Sequence, residues 1–278
     1  MRAVRWLRWL SVPAAVVLAL AGAANAAAKV APGPSAYDPV AAIAYSQAAI
    51  GREVGDLAFT GSDGTPVRLA GFRGKPLVVN MVFTGCALSC PVVVQRLYRA
   101  VEIAQDAVGS DRFSVITVGF DTDADTPGRM RDFARAQGLD LPNWEFLSGD
   151  EASVRALADV LGFIYFPSPR GFDHLAQTTV VDAEGRVFRQ VYGAEFEPPA
   201  VVEPLLALVY GGGKGIASLA DAVDRLRLFC TYFDPTTGRY RFDYSIFIAL
   251  AVGVASLGGI AFVLVRAWLR AAPPAPHG

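Results

Sequence analysis

Imidazole is almost missing from this chain. Its 278 residues hold two histidines, and His277 is the penultimate residue of a proline-rich tail. A site in the folded body that needs a histidine must use His174, so zinc centres built on two or three histidines are excluded. Methionine is nearly as scarce: Met1, Met81 and Met130 form no cluster, and storage of a soft metal through thioethers has no support. Basic charge is not in excess either. Lys and Arg number 25 against 26 Asp and Glu, too even a balance to neutralise a phosphate backbone, and no nucleic-acid partner is expected. No internal repeat is visible. Apolar residues, in contrast, are abundant. They make up 53% of the chain against 18% charged, more than a soluble domain usually carries, which places part of the excess in membrane-directed segments.

Two such segments are legible. Arg2, Arg5 and Arg8 precede an apolar stretch from Leu10 to Ala24 and the small-residue triplet Ala24-Asn25-Ala26. This is the pattern of a secretory signal peptide over residues 1–26. Residues 245–265 contain no charge and, at about 1.5 Å per residue, cover about 30 Å, the thickness of a bilayer core. They are read as a transmembrane helix, preceded by a juxtamembrane segment (213–244) whose Tyr232, Phe233, Tyr240, Phe242 and Tyr244 suit an interfacial aromatic belt. An exported chain that stops at this helix leaves the body on the extracytoplasmic, periplasmic side and residues 266–278 as a cytoplasmic tail.

Between a linker (27–50), in which Asp38 to Ile50 has the makings of a short helix, and the juxtamembrane segment lies the body, residues 51–212. Ala58 to Leu69 alternates around Gly61-Ser62-Asp63-Gly64, the chemistry of a hairpin turn. Apolar runs at Leu77 to Phe83 and Phe113 to Phe120 read as central strands. Helical periodicity marks Arg96 to Ala107, Pro127 to Gln137, Glu151 to Leu161 and Ala200 to Tyr210, with strands at Thr178 to Val181 and Arg186 to Tyr192. Strand and helix alternate and a hairpin follows, which predicts an α/β fold with a mixed sheet. Gly211-Gly212-Gly213-Lys214-Gly215 lacks the spacing and the Ser or Thr of a phosphate loop and reads as the exit from the last helix.

Chemistry concentrates at Cys86-Ala87-Leu88-Ser89-Cys90-Pro91, directly after the first apolar strand. Pro91 suits the first helical position, and Cys90, expected near the helix N-cap, should have a lowered pKa. Three residues between the thiols depart from the C-x-x-C of disulfide oxidoreductases and suit a pair holding a metal ion, although a disulfide can still close. A purely structural bridge over so short a loop would stabilise little. With His174, two thiolates and an imidazole form a three-coordinate soft set suited to Cu(I), with Cu(II) completing its shell from water or another ligand. Zn²⁺ with a water fits the same ligands, but no general base stands beside them.

Phe83-Thr84-Gly85-Cys86 with Cys90-Pro91, then Asp121-Thr122-Asp123-Ala124-Asp125-Thr126-Pro127, then Asp173-His174 ahead of Val181-Asp182-Ala183-Glu184-Gly185 together resemble the Sco/SenC family of copper proteins. The likeness runs from about Gly51 to Tyr210. It implies a thioredoxin-like fold, with a central mixed sheet flanked by helices, that binds one copper, as Cu(I) or Cu(II), through Cys86, Cys90 and His174. The family assists assembly of the copper A centre in subunit II of cytochrome c oxidase, as copper donor, as reductant of its cysteines, or both. A copper donor or thiol reductant is then a further partner, and Cys86 and Cys90 double as a redox pair. Ala87 and Leu88 stand where the family usually has Pro and Asp, and the anchor is C-terminal where members usually carry it at the N-terminus.

Asp173 is read as orienting the imidazole or as capping a turn. The acidic run from Asp121 is read as a strand-end loop leading to a helix cap and Pro127, with a docking surface as the alternative. Cys230 is an inert thiol among aromatics, an intermolecular link or an auxiliary copper contact. A peroxiredoxin-like peroxidase shares the fold, but its Pro-x-x-x-Thr-x-x-Cys context is absent.

Overall fold

The computed structural model describes residues 37–86, 89–211, 223, 231–234, 237 and 239–271. The signal-peptide reading (1–26), most of the first linker, Ala87, Leu88, Cys230 and the tail beyond Ala271 lie outside the described residues.

A seven-stranded mixed sheet, ordered β2-β1-β5-β4-β3-β8-β9, forms the body. Its strands are β1 (Ala58–Gly61), β2 (Pro66–Arg68), β3 (Leu77–Val82), β4 (Ser114–Gly119), β5 (Trp144–Ser148), β8 (Gln177–Val181) and β9 (Val187–Tyr192). Both β3 and β4 are buried along their whole length, as continuous apolar runs require when both faces of a sheet are covered. These two strands run parallel in a register that pairs Val82 with Gly119. The loops leaving their C-terminal ends, one bearing Cys86 and the other the acidic run, therefore emerge side by side. On the other flank of β3 lies antiparallel β8, which sets the segment after His174 beside the strand that leads to the cysteines.

Helices α2 (Ser89–Val108), α3 (Pro127–Ala136), α4 (Glu151–Leu161) and α5 (Pro199–Tyr210) flank the sheet. Thr126 caps α3 by accepting from the N–H of Arg129, and Pro127 opens it. Asp150 caps α4, which ends at Gly162 with φ +66°, the left-handed residue expected at a helix C-terminus. In contrast to the linker reading of residues 27–50, α1 (Pro39–Gln47) packs on the body. Ala42, Tyr45, Ser46 and Ala49 are buried, and Gln190 reaches the Ser46 carbonyl.

Two short hairpins complete the molecule. One joins β6 (Tyr165–Ser168) to β7 (Gly171–His174), pairing Tyr165 with His174. The other joins β10 (Thr231–Asp234) to β11 (Arg239–Phe242) in the juxtamembrane segment. Of the aromatics expected to form an interfacial belt, Tyr232 and Tyr244 are exposed, whereas Phe233 and Tyr240 pack against the body's core. Helix α6 (Ser245–Ala271) follows, started by Asp243 accepting from the N–H of Ser245. The most apolar window of its Ser245–Arg270 stretch has a mean hydropathy of 2.5, and none of that window is buried against the rest of the protein. It is long and apolar enough to cross a membrane, and it continues into residues that were expected to belong to the tail.

Candidate metal centre

The thiols sit where β3 gives way to α2. The chain turns through Thr84 and Gly85, closed by the Cys86 N–H donating to the Phe83 carbonyl at 3.1 Å. Cys90 enters α2 in its first turn, where N–H groups lack helical acceptors. Its own N–H finds one in the Cys86 sulfur, 3.4 Å away. Cys86 and Cys90 are not joined by a disulfide. Cys86 is half-buried and Cys90 is sunk in the core at 2% exposure.

That burial overturns one expectation. The helix N-terminus favours a thiolate at Cys90, but the low-dielectric surroundings disfavour charge more strongly. Burial pushes the Cys90 thiol up to about 12, although a backbone hydrogen bond from Phe83 works the other way. In this structure Cys90 is a protonated thiol at neutral pH.

His174 ends β7 inside a box of aromatic rings. Phe83, Phe120 and Phe163 lie at centroid distances of 6.0, 5.4 and 5.7 Å. Burial lowers its pKa below the ordinary histidine value, while a hydrogen bond to the Leu175 carbonyl and the charge of Asp173 oppose that shift. The ring nitrogen Nδ1 lies 3.1 Å from the Leu175 oxygen. A carbonyl can only accept, so Nδ1 carries the proton and Nε2 keeps its lone pair for a metal. Asp173 thus acts on the ring through its charge, and the orienting bond falls to Leu175. The Tyr37 hydroxyl donates to the His174 carbonyl at 3.2 Å, tying the segment ahead of α1 to the end of β7.

Phe83 is what the two donor ends share. Its carbonyl closes the cysteine turn and its ring stands edge-on to the imidazole. Opposite it, Gly171 has φ +108°, and a Cβ there would lie 2.7 Å from Phe83 Cε2. Only glycine allows both that backbone and that contact. Among the described residues, no group of three or more His, Cys, Asp or Glu side chains is close enough to hold a metal ion. The fold brings the cysteine turn and the histidine hairpin to one aromatic ring without drawing all three donors into a ligand set. Their chemistry nevertheless fits a soft monovalent ion: two sulfurs, one neutral imidazole and an apolar surround.

Sequence reasoning missed Asp125. This residue of the acidic run is buried, and its carboxylate binds Thr84 in the cysteine turn through both the backbone N–H and the hydroxyl. Desolvation holds its pKa above the ordinary aspartate value. The exposed neighbour Asp123 shows that the run is not uniform, and the alternation gives no hint of which carboxylate turns inward.

A family model described as SCO1/SenC matches residues 47–209, more than half of the chain. This chain belongs to the SCO1/SenC family. A curated relative, the SCO1 protein homolog of Bacillus subtilis (strain 168), is 25% identical over 152 residues, covering 52% of this chain and 77% of that protein. Two solved structures align over nearly their whole length. One is a candidate electron transfer protein from Aquifex aeolicus VF5, 23% identical with a TM-score of 0.53, covering 59% of this chain and 95% of the other. The second is a SCO1/SenC family lipoprotein from Bacillus anthracis str. Ames, 20% identical with a TM-score of 0.52, covering 57% and 95%. At such identities the two structures bear on the fold, which is the thioredoxin-like fold of SCO1/SenC proteins. Residues 37–46, the β10–β11 hairpin and α6 lie outside the matched SCO1/SenC region.

Proposed function

We propose that this protein is a membrane-tethered copper chaperone that binds copper through Cys86, Cys90 and His174 and assists assembly of the copper A centre in subunit II of cytochrome c oxidase. Family membership supports the role in oxidase assembly. One observation carries the choice of ligands: Phe83 closes the cysteine turn with its carbonyl and packs its ring edge-on against an imidazole whose Nδ1 faces the Leu175 carbonyl. Signal-peptide export would place the body on the extracytoplasmic side, with α6 as tether and a copper donor or thiol reductant as upstream partner.

The protons and exposures support distinct roles for the three side chains. His174 offers a lone pair without losing a proton. Cys90 must release its proton to bind, and the attraction of a soft cation for sulfur offsets that cost. Half-buried Cys86 is the sulfur an acceptor ligand reaches first, so cargo is expected to leave from that side while Cys90 holds it longest.

A second reading is favoured by the unequal exposure of the two sulfurs, a disposition suited to thiol–disulfide exchange. Cys86 thiolate would attack an acceptor disulfide to form a mixed disulfide. Attack by Cys90 on Cys86 would then release the acceptor as a dithiol, the pair being oxidised to a disulfide. A thiol near pKa 12 has a thiolate fraction of about 10⁻⁵ at neutral pH, which slows the second step and ranks this reading below metal transfer.

The test is Cu(I) titration of the reduced full chain in detergent against a competing chelator. Wild type should bind one copper, and His174→Ala should lose stable binding while keeping most thiol exchange. An unchanged stoichiometry and affinity after that substitution would overturn the ligand assignment.

A further inference from the structure

The acidic loop after β4 contains a carboxylate for which the proposed chemistry has no use. Asp125 is 2% exposed. Its Oδ1 accepts from the Thr84 N–H at 2.8 Å and from the Thr84 hydroxyl at 2.7 Å, and its Oδ2 accepts from the Asp121 N–H at 2.9 Å. Burying a carboxylate is costly unless its lone pairs are satisfied, and here two of three bonds go to a single residue of the cysteine turn. The parallel pairing of β3 with β4 makes this possible, because it sets the two loops next to each other. Gly119 makes room. A Cβ at that position would lie 2.5 Å from the Asp125 Cβ and 2.8 Å from the Met130 sulfur.

Thr84 lies between Phe83 and Cys86, so fixing its N–H and its hydroxyl fixes the path of the turn. The same turn fixes the Phe83 carbonyl that receives the Cys86 N–H, and downstream of it the Cys86 sulfur that receives the Cys90 N–H. We propose that Asp125 is a positioning residue for the copper-binding corner, clamping the Phe83–Cys86 turn so that Cys86 stays outside and Cys90 stays in the core. This rests on the copper-binding reading of the same site but makes a claim that holds without metal. A carboxylate serving stability alone would leave the relative accessibility of the two sulfurs untouched. A clamp sets it.

The experiment uses the full chain in detergent with Asp125→Ala, Asp125→Asn and Thr84→Val. Asparagine keeps an acceptor oxygen for both Thr84 donors, whereas alanine keeps none. The metal-free readout is the ratio of iodoacetamide alkylation rates at Cys86 and Cys90, resolved by peptide mass spectrometry. The second readout is Cu(I) affinity by chelator competition, and the third is the unfolding midpoint. Asp125→Ala is expected to bring the Cys90 rate toward that of Cys86 and to weaken copper binding by about 10–100-fold, as loss of a residue orienting a metal ligand does. Asp125→Asn should restore both to within a factor of about three, and Thr84→Val should fall between. A lower midpoint with an unchanged alkylation ratio and affinity would overturn the proposal, as would Asn behaving like Ala. Should Asp125→Ala fail to fold, Thr84→Val decides, and a wild-type alkylation ratio in that variant sinks the clamp. Should wild type bind no copper, the function proposed above fails while the alkylation arm still judges the clamp.

Discussion

Cys90 is wholly and His174 partly withdrawn from water, by different means and with opposite consequences. Cys90 is sunk in the core by the first turn of α2, and the same loss of solvation that raises its pKa to about 12 lowers that of His174, because burial penalises a thiolate in one case and an imidazolium in the other. One apolar environment thus makes both donors neutral. The imidazole is ready to bind a metal in that state, and the thiol is not. Under the proposed ligand set, loading is therefore expected to be governed by proton release from sulfur.

That contrast can be broken most sharply by pH. Between about pH 6.5 and 8, Cu(I) affinity should rise about tenfold per pH unit for each thiol proton displaced, with no added steepening from His174, whose titration lies below its ordinary range. Chelator competition across the series measures the slope. A wild-type slope that steepens near pH 6.5 would break the comparison. Next in size is Gly171→Ala. With φ at +108° and Phe83 against the site, it should cost about 1–2 kcal/mol of stability, read by denaturant unfolding, and, because Phe83 links the two ends, should disturb the imidazole end and shift the Cys86-to-Cys90 alkylation ratio as well. The smallest effect concerns acid. A histidine whose folded pKa is depressed binds fewer protons folded than unfolded, so its contribution is present above the unfolded value and is lost as pH falls through and below about 6.5. Comparing unfolding free energies near pH 5 and pH 7.5, wild type should lose more on acidification than His174→Gln, and equal losses would refute the depressed pKa.

The parts of the fold that announce themselves in sequence are those fixed by local chemistry. Pro91 after an apolar run marks the strand-to-helix corner, the periodicity of Glu151 to Leu161 marks α4, and Gly61 to Gly64 turn the first hairpin. Strand β5 escaped because Trp144 to Ser148 is short and follows Pro142-Asn143. Hairpin β6–β7 escaped because Pro167 and Pro169 interrupt its alternation, yet it carries His174. The cysteine motif was legible, but the protonation state of Cys90 was not, since a helix terminus is a local feature and depth in the core is a property of the whole packing. Asp125 failed to stand out for the same reason: its main hydrogen-bond partner is Thr84, 41 residues earlier in the chain.

Phe83 has no chemistry of its own, yet it couples the sulfur end to the nitrogen end. Its backbone is held by the cysteine turn while its ring is packed among Phe120, Phe172 and His174. An acceptor that draws either end outward strains this one residue and so disturbs the other end as well. Under the copper-carrying role proposed above, an acceptor that engages Cys86 would through this ring also slacken the nitrogen end, leaving buried Cys90 as the last point of attachment.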